Sequence, residues 1–478
     1  MDWDAVRELT CGSSSAREVS HRLDPTALVC ALRQSPTVDE ERVLVDALAS
    51  LLHLPDSGSA TLNALLPLAP EGLRAPSAAV RALAASALAS ACRSDLLSHD
   101  AACSISLPLV HLLADDSSDA STAAHSAFVS LCHSTVALSA LHSDSISALS
   151  SLCDARTSSS TIAARTLGTC VDACSSDPSS SPVSSALSGA HIFDFLPSLF
   201  TSPDLLAAMS ALESFADAME KRVISVSSHP ELVHAARQVA ADQSTEPMLR
   251  AKAVLACGRI IGSASAEDLS TRSDLQHCLQ DIAAAACSGD SSLSDASFDA
   301  IYSACQNPPG AYAILNFNNQ ELLQRCCSCA FQQGQLNAIY ALVALANRAP
   351  NDFDDVIRDA IFCTTSSPAN MLWSLLKQRG ETAEDGRRLS YSLIINFSGK
   401  RWFAQELSSH SDLMRSICSS EWEQNQEMCE HRHEAVKALA NTITHSEQLQ
   451  RAVNEGPYGI NGSEHRQAAV DVADRRDE

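Results

Sequence analysis

The sequence predicts an all-α protein built as a stack of about ten helical repeats, and three observations predict it. A short apolar segment recurs along the 478 residues at near-constant intervals. Where it is best determined, its apolar positions follow a 3.6-residue period. The composition is 45% hydrophobic but only 4% aromatic, with 16 glycines. The apolar content therefore sits in Ala, Leu, Val, Ile and Cys. That is too much for a disordered chain, and it is poor material for a large sandwich or barrel.

The recurring segment begins as Ala47–Leu52 (ALASLL) and returns as Ala87–Cys92 (ALASAC). Ser86–Cys92 (SALASAC) in turn becomes Ser126–Cys132 (SAFVSLC), and Thr169–Cys174 (TCVDAC) follows. Looser copies are Phe215–Met219, Leu255–Ile261, Ile301–Cys305, Ala344–Ala349, Ile394–Ser398 and Ala438–Ile443. The copies ending at 219 and 261 are placed by spacing as much as by sequence. Successive end positions differ by 40, 40, 42, 45, 42, 44, 44, 49 and 45 residues. Armadillo and HEAT repeats have this period, so the expected architecture is an armadillo/HEAT-like superhelical solenoid.

Each copy is expected on a helix. Val80, Leu83, Ala84, Ala87, Leu88 and Ala91 form one apolar stripe. Pro76 is placed in the first turn of that helix and Pro247 opens the sixth, where the missing N–H costs nothing. Further helices are expected over Pro25–Arg33, Ser104–Leu113 and Met371–Gln378, giving two or three per repeat. Stacked helices approach closely only through small side chains, so Cys92, Cys132, Cys174 and Cys305 read as buried small hydrophobes. Ser175–Ser185 (SSDPSSSPVSS) and Ser288–Ser294 (SGDSSLS) read as loops. Residues 1–458 are expected to form a single solenoid domain and 459–478 a disordered tail.

Lys and Arg total 33 against 57 Asp and Glu, a net charge of −24. A nucleic-acid binder needs a basic face to neutralise phosphates, and anionic membranes repel such a chain. Neither is expected as a partner; a basic protein is. The acidic start Met1–Asp4 does not resemble a secretory leader, and no stretch suits a bilayer. The 18 cysteines then point to a reducing cytosol or nucleus, and the free chain is expected to be a monomer.

No GxxxxGK(S/T), GxGxxG or GxSxG motif is present, so no catalytic residue, cofactor or enzymatic activity is expected. Cys326, Cys327 and Cys329 contain one CxxC, and Cys429 with His433 could share a helix face while His431 points away. Zinc needs four ligands in a closed site, so neither cluster is assigned a metal. Asp115-Asp116, Asp354-Asp355 and Glu421–Glu434 read as solvated acidic faces.

Asn347, Asn396 and Asn441 recur late in successive marker helices. They lie either in a partner-binding groove or at helix ends, tying down loops. A nuclear-import adaptor would carry Trp four residues before each Asn; here those residues are Val343, Ser392 and Lys437.

Val436–Asn441 (VKALAN) followed by Glu455–Tyr458 (EGPY), with Asn396 and Trp402–Gln405 (WFAQ) upstream, resembles the family of 26S proteasome non-ATPase regulatory subunit 5. The similarity covers about residues 394 to 458 and departs from the family's Trp-Ala-Gln by Phe403. It implies a non-catalytic chaperone of the proteasome regulatory particle base. Such a chaperone holds the C-terminal region of an ATPase subunit, alongside other base subunits, in the cytoplasm or also in the nucleus. Asn347, Asn396, Trp402, Lys437, Asn441 and Tyr458 are the candidate partner-binding residues. Gly456-Pro457 is expected to stop the last helix and fold Tyr458 back onto it. A general armadillo-type scaffold or chaperone cofactor is the alternative.

Overall fold

The computed structural model describes residues 3–10, 19–34, 37–54, 57–137, 141–174, 182–349, 351–380, 383–423 and 425–459. Among them the regular structure is helical and no strand occurs. Of the expected tail, only Gly459 lies within the described residues.

Two compact units divide the chain, Met1–Ala236 and Arg237–Glu478. The first holds the marker helices Val38–Leu52, Ala78–Arg93, Ser118–Cys132, Ser160–Ala173 and Leu205–Glu220. The second holds Pro247–Ser263, Ser291–Ala304, Leu336–Arg348, Glu384–Phe397 and Gln426–Thr442. Every one ends within two residues of its marker segment. Within each unit every marker helix lies against the next. Shorter helices form a second layer, for example Pro25–Arg33, His99–Leu112 and Ser143–Cys153 in the first unit. In the second unit this layer includes Ser273–Ala286, Glu321–Gln333, Pro368–Leu376 and Ser411–Cys418. This is an armadillo/HEAT-like stack of helical repeats.

Polar residues between helices start the next ones. Thr37 and Glu40 make a reciprocal capping box, Asp204 accepts from the amides of Leu206 and Ala207, and Ser117 and Ser159 cap their helices likewise. Each such cap contributes about 1 kcal/mol. The structure corrects two loop expectations. Ser288–Ser294 is only partly loop, because Asp290 accepts from the amides of Ser292 and Leu293 and opens a helix at Ser291. In Ser175–Ser185, residues 175–181 lie outside the described residues, and Pro182 begins the helix Pro182–Gly189. Pro247 stands at the first turn as expected. Pro76 does not: Ser77 is the N-cap of Ala78–Arg93, and the Pro76 carbonyl instead accepts from Arg81.

The stripe on Ala78–Arg93 is broader than its period implies. Leu83, Ala84, Ala87, Leu88 and Ala91 are buried, but so are Ala85, Ala89 and Cys92, while Val80 is partly exposed. The helix packs against Val38–Leu52, Ser118–Cys132 and the short Ala69–Gly72, so alanines on several sides leave water.

A close approach joins Pro247–Ser263 to Ser291–Ala304. A Cβ at Gly258 would fall on the backbone of Ala300, and one at Gly262 would stand 2.5 Å from the Ser303 carbonyl oxygen. Cys92, Cys132, Cys174 and Cys305 are all buried as free thiols. Desolvation pushes the Cys92 and Cys174 thiols up to about 12. Cys326, Cys327 and Cys329 are equally buried. Among the described residues no helix is long and apolar enough to cross a membrane, and no group of potential metal ligands gathers.

Candidate protein-binding surface

Asn347, Asn396 and Asn441 each occupy the penultimate position of their helix, in Leu336–Arg348, Glu384–Phe397 and Gln426–Thr442. These three helices are successive neighbours, so the asparagines stand at matching ends of adjacent rods. Asn347 and Asn441 are exposed, while Asn396 is partly buried. The Asn396 amide donates to the Ser392 carbonyl of its own helix at 2.7 Å. Lys437, one turn before Asn441, is exposed and pairs with Glu434 at 2.8 Å.

Trp402 is placed differently. On Arg401–Ser409, its ring packs edge-on against Phe362, Phe397 and Phe403, with centroids 5.7, 6.3 and 5.5 Å away. The inserted Phe403 is fully buried. Trp402 thus helps join helices, and only part of it reaches solvent.

The C-terminal motif closes on itself through Arg432. Gly456, at φ 76°, ends Glu447–Glu455, as Gly-Pro there leads one to expect. The segment after it returns to Gln426–Thr442, the helix before the one it follows. Arg432, 1% exposed, donates from Nη2 to the Pro457 carbonyl at 2.8 Å and from Nη1 to the Ile417 carbonyl at 2.9 Å. The Tyr458 hydroxyl donates to Glu430 at 2.6 Å. Glu430 and Asn441 are eleven residues apart on one helix, about 16 Å along its axis. Tyr458 and Asn441 therefore mark opposite stretches of the same rod.

The acidic runs are not uniformly solvated. Glu423 sits within the Glu421–Glu434 run, yet its side chain is 2% exposed. It accepts from the Tyr391 hydroxyl at 2.9 Å and lies 3.3 Å from Arg387 and 3.5 Å from Arg379. Arg379 also stacks 4.3 Å from the Trp422 ring centroid, a cation–π contact. Burial and the neighbouring Glu423 raise the Tyr391 phenol above its ordinary range. Asp115 is paired with Arg81 at 2.8 Å and largely buried. Asp354 contacts Lys400, and Asp355 pairs with Arg358 at 2.8 Å. Alternating charge within a run distinguishes such interior acids from solvated ones only when the partner, tens of residues away, is known. Cys429 and His433 are both buried, and His431 is partly exposed beside Glu427 at 3.6 Å.

No family model and no curated protein matches the chain. Among solved structures, an engineered protein aligns at 16% identity over 87% of this chain and 99% of its own, with a TM-score of 0.41. A designed armadillo repeat protein in complex with a (KR)4 peptide aligns at 15% identity over 51% of this chain and 98% of its own, with a TM-score of 0.38. A mutant of Kap121p aligns at 12% identity over 94% of this chain and 50% of its own, with a TM-score of 0.43. The neighbouring marker helices and their second layer are what make this chain an armadillo/HEAT-like repeat protein.

Proposed function

We propose that this chain is a non-catalytic protein-binding scaffold that chaperones assembly of the 26S proteasome regulatory particle base. In this reading it holds the C-terminal region of an ATPase subunit, in the cytoplasm, and leaves before the particle is complete. One observation carries the proposal. The first half of the C-terminal motif, Val436–Asn441, lies on the helix Gln426–Thr442, and that helix holds the second half, Glu455–Tyr458, through Arg432 and Glu430. Residues separated in sequence thus form one built feature, which supports reading them as a single signature. The exposed Lys437 and Asn441 leave that helix side free for a partner.

Affinity purification of the full chain from cells, followed by mass spectrometry, tests the proposal. Base ATPase subunits and their assembly intermediates are expected, without the finished particle. Recovery of nuclear-import cargo or unrelated proteins, with no proteasome ATPase, overturns it in favour of a general scaffold.

A further inference from the structure

In the first unit a cavity of about 400 Å³ opens between the end of Ala69–Gly72, the helix Ala78–Arg93 and the helix His99–Leu112. Its volume lies in the range of small-molecule sites, and it has their make-up of apolar walls with a few polar groups. Leu73, Leu107, Pro108 and Leu112 supply the apolar surface. Pro108 stands inside His99–Leu112, where it removes one bond from the helical ladder and has no backbone N–H to offer.

Arg74, Arg81, His111 and Asp115 supply the polar groups. All but Asp115 carry or can take a positive charge, in a chain whose net charge is −24. The acid is already satisfied. Asp115 accepts from Arg81 Nε and Nη2 at 2.8 and 3.0 Å and from the Ser117 amide at 2.9 Å. The Arg81 guanidinium, with a smaller contribution from Arg165, holds its carboxyl below the ordinary range. Arg81 Nη1 meanwhile donates to the Ala75 and Pro76 carbonyls at 2.8 and 2.7 Å. Arg81 and Asp115 therefore form a fixed wall that neutralises itself.

Arg74 is left over. It is exposed, no carboxylate pairs with it among the described residues, and its bond to the Pro70 carbonyl is long at 3.5 Å. The His111 ring is also exposed, with no hydrogen-bond or ion-pair partner among the described residues. The lining thus holds one positive charge in excess beside an apolar surface. A cation is repelled, and an uncharged apolar molecule leaves Arg74 unanswered. A monoanion on an apolar body matches both halves. The forked donors of Arg74 suit a carboxylate, the imidazole of His111 adds a donor, and the leucines with Pro108 take apolar surface out of water.

We infer that Arg74 and His111, set against Leu73, Leu107, Pro108 and Leu112, bind a small organic monocarboxylate with an aromatic or branched aliphatic body. The site goes beyond the protein-binding reading above and does not depend on it.

Isothermal titration calorimetry of the full chain with 2-naphthoate, its uncharged amide 2-naphthamide and 2-naphthyl phosphate tests the site. 2-Naphthoate is expected to bind about threefold to fivefold more tightly than the amide, and the difference should shrink as salt rises. Arg74→Gln, at an exposed position, should weaken 2-naphthoate about threefold to fivefold and leave the amide unchanged. Leu107→Trp, which fills the cavity, should weaken acid and amide alike, with thermal unfolding measured alongside. Arg415→Gln, which removes an exposed arginine of the second unit, should change neither. Absence of 2-naphthoate binding, equal binding of acid and amide, or tighter binding of the phosphate overturns the site. So do equal losses for Arg74→Gln and Arg415→Gln, because net charge alone would then explain the attraction. If Leu107→Trp unfolds the chain, the Arg74→Gln comparison decides.

Discussion

The Arg432 guanidinium donates to the Pro457 carbonyl at 2.8 Å, across 25 residues of chain. With Ile417 as its second acceptor, this buried cation is held by backbone carbonyls, and no ion pair to it occurs among the described residues. Arg432→Met strips two carbonyls of their partner, at about 1–3 kcal/mol each, and relieves the burial of a charge. A net loss of about 2–4 kcal/mol is expected in urea denaturation. Limited proteolysis should cut faster near Pro457.

At Gly258 the neighbouring atoms are backbone and cannot turn aside. Gly258→Ala must push two helices apart, at a cost of about 3 kcal/mol or more. Gly289→Ala places its Cβ in open space and should change stability by less than about 0.5 kcal/mol. Thermal unfolding of the two variants makes the comparison; equal effects would show that the helix approach is not tight.

Asp115 accepts from Arg81 Nε at 2.8 Å and Nη2 at 3.0 Å. Those bonds hold its carboxyl below the ordinary carboxylate range. A depressed carboxylate binds fewer protons folded than unfolded. Its contribution is complete above the unfolded value of about 3.9 and is lost as pH falls through the folded one. Asp115→Asn should therefore lower stability at pH 7 by about 1–3 kcal/mol. The gap to the parent should narrow on acidification below about pH 4. A gap independent of pH would exclude this linkage.

Asn347 and Asn441 are exposed, so Asn347→Ala and Asn441→Ala should alter stability by less than about 0.5 kcal/mol. Asn396→Ala removes only a bond to its own helix and should leave circular dichroism unchanged. If Asn441→Ala lowers ATPase recovery with helicity intact, the residue contacts the partner; joint loss of both would assign it to the helix end.

The repeat was legible because its signal is local. Small apolar residues ending at 52, 92 and 132 lie on one helix each, and the stack reproduces that spacing. Less legible was anything set by a distant partner. Glu423 reads as one acid in a charged run, yet Tyr391, thirty-two residues earlier, and Arg387 enclose it. Pro76 obeys a helix-start preference, but the helix begins two residues later, with Ser77 at the N-cap position. Arg74 and His111 read as unrelated polar surface residues; only the packing of their segments sets them on one cavity. Gly456-Pro457 correctly stops its helix. Which helix Tyr458 then touches was decided by Arg432, a residue that no period marks.

In each unit a marker helix meets chiefly its neighbours, some forty residues away. Cohesion is thus a chain of nearest-neighbour terms without a single shared core, and loop-closure distances stay short. Folding can begin at any well-packed pair and spread along the stack. Denaturation should be graded accordingly: the interface sealed by Gly258 and Gly262 would part late, others early, and a single midpoint would average over events that are separable in time.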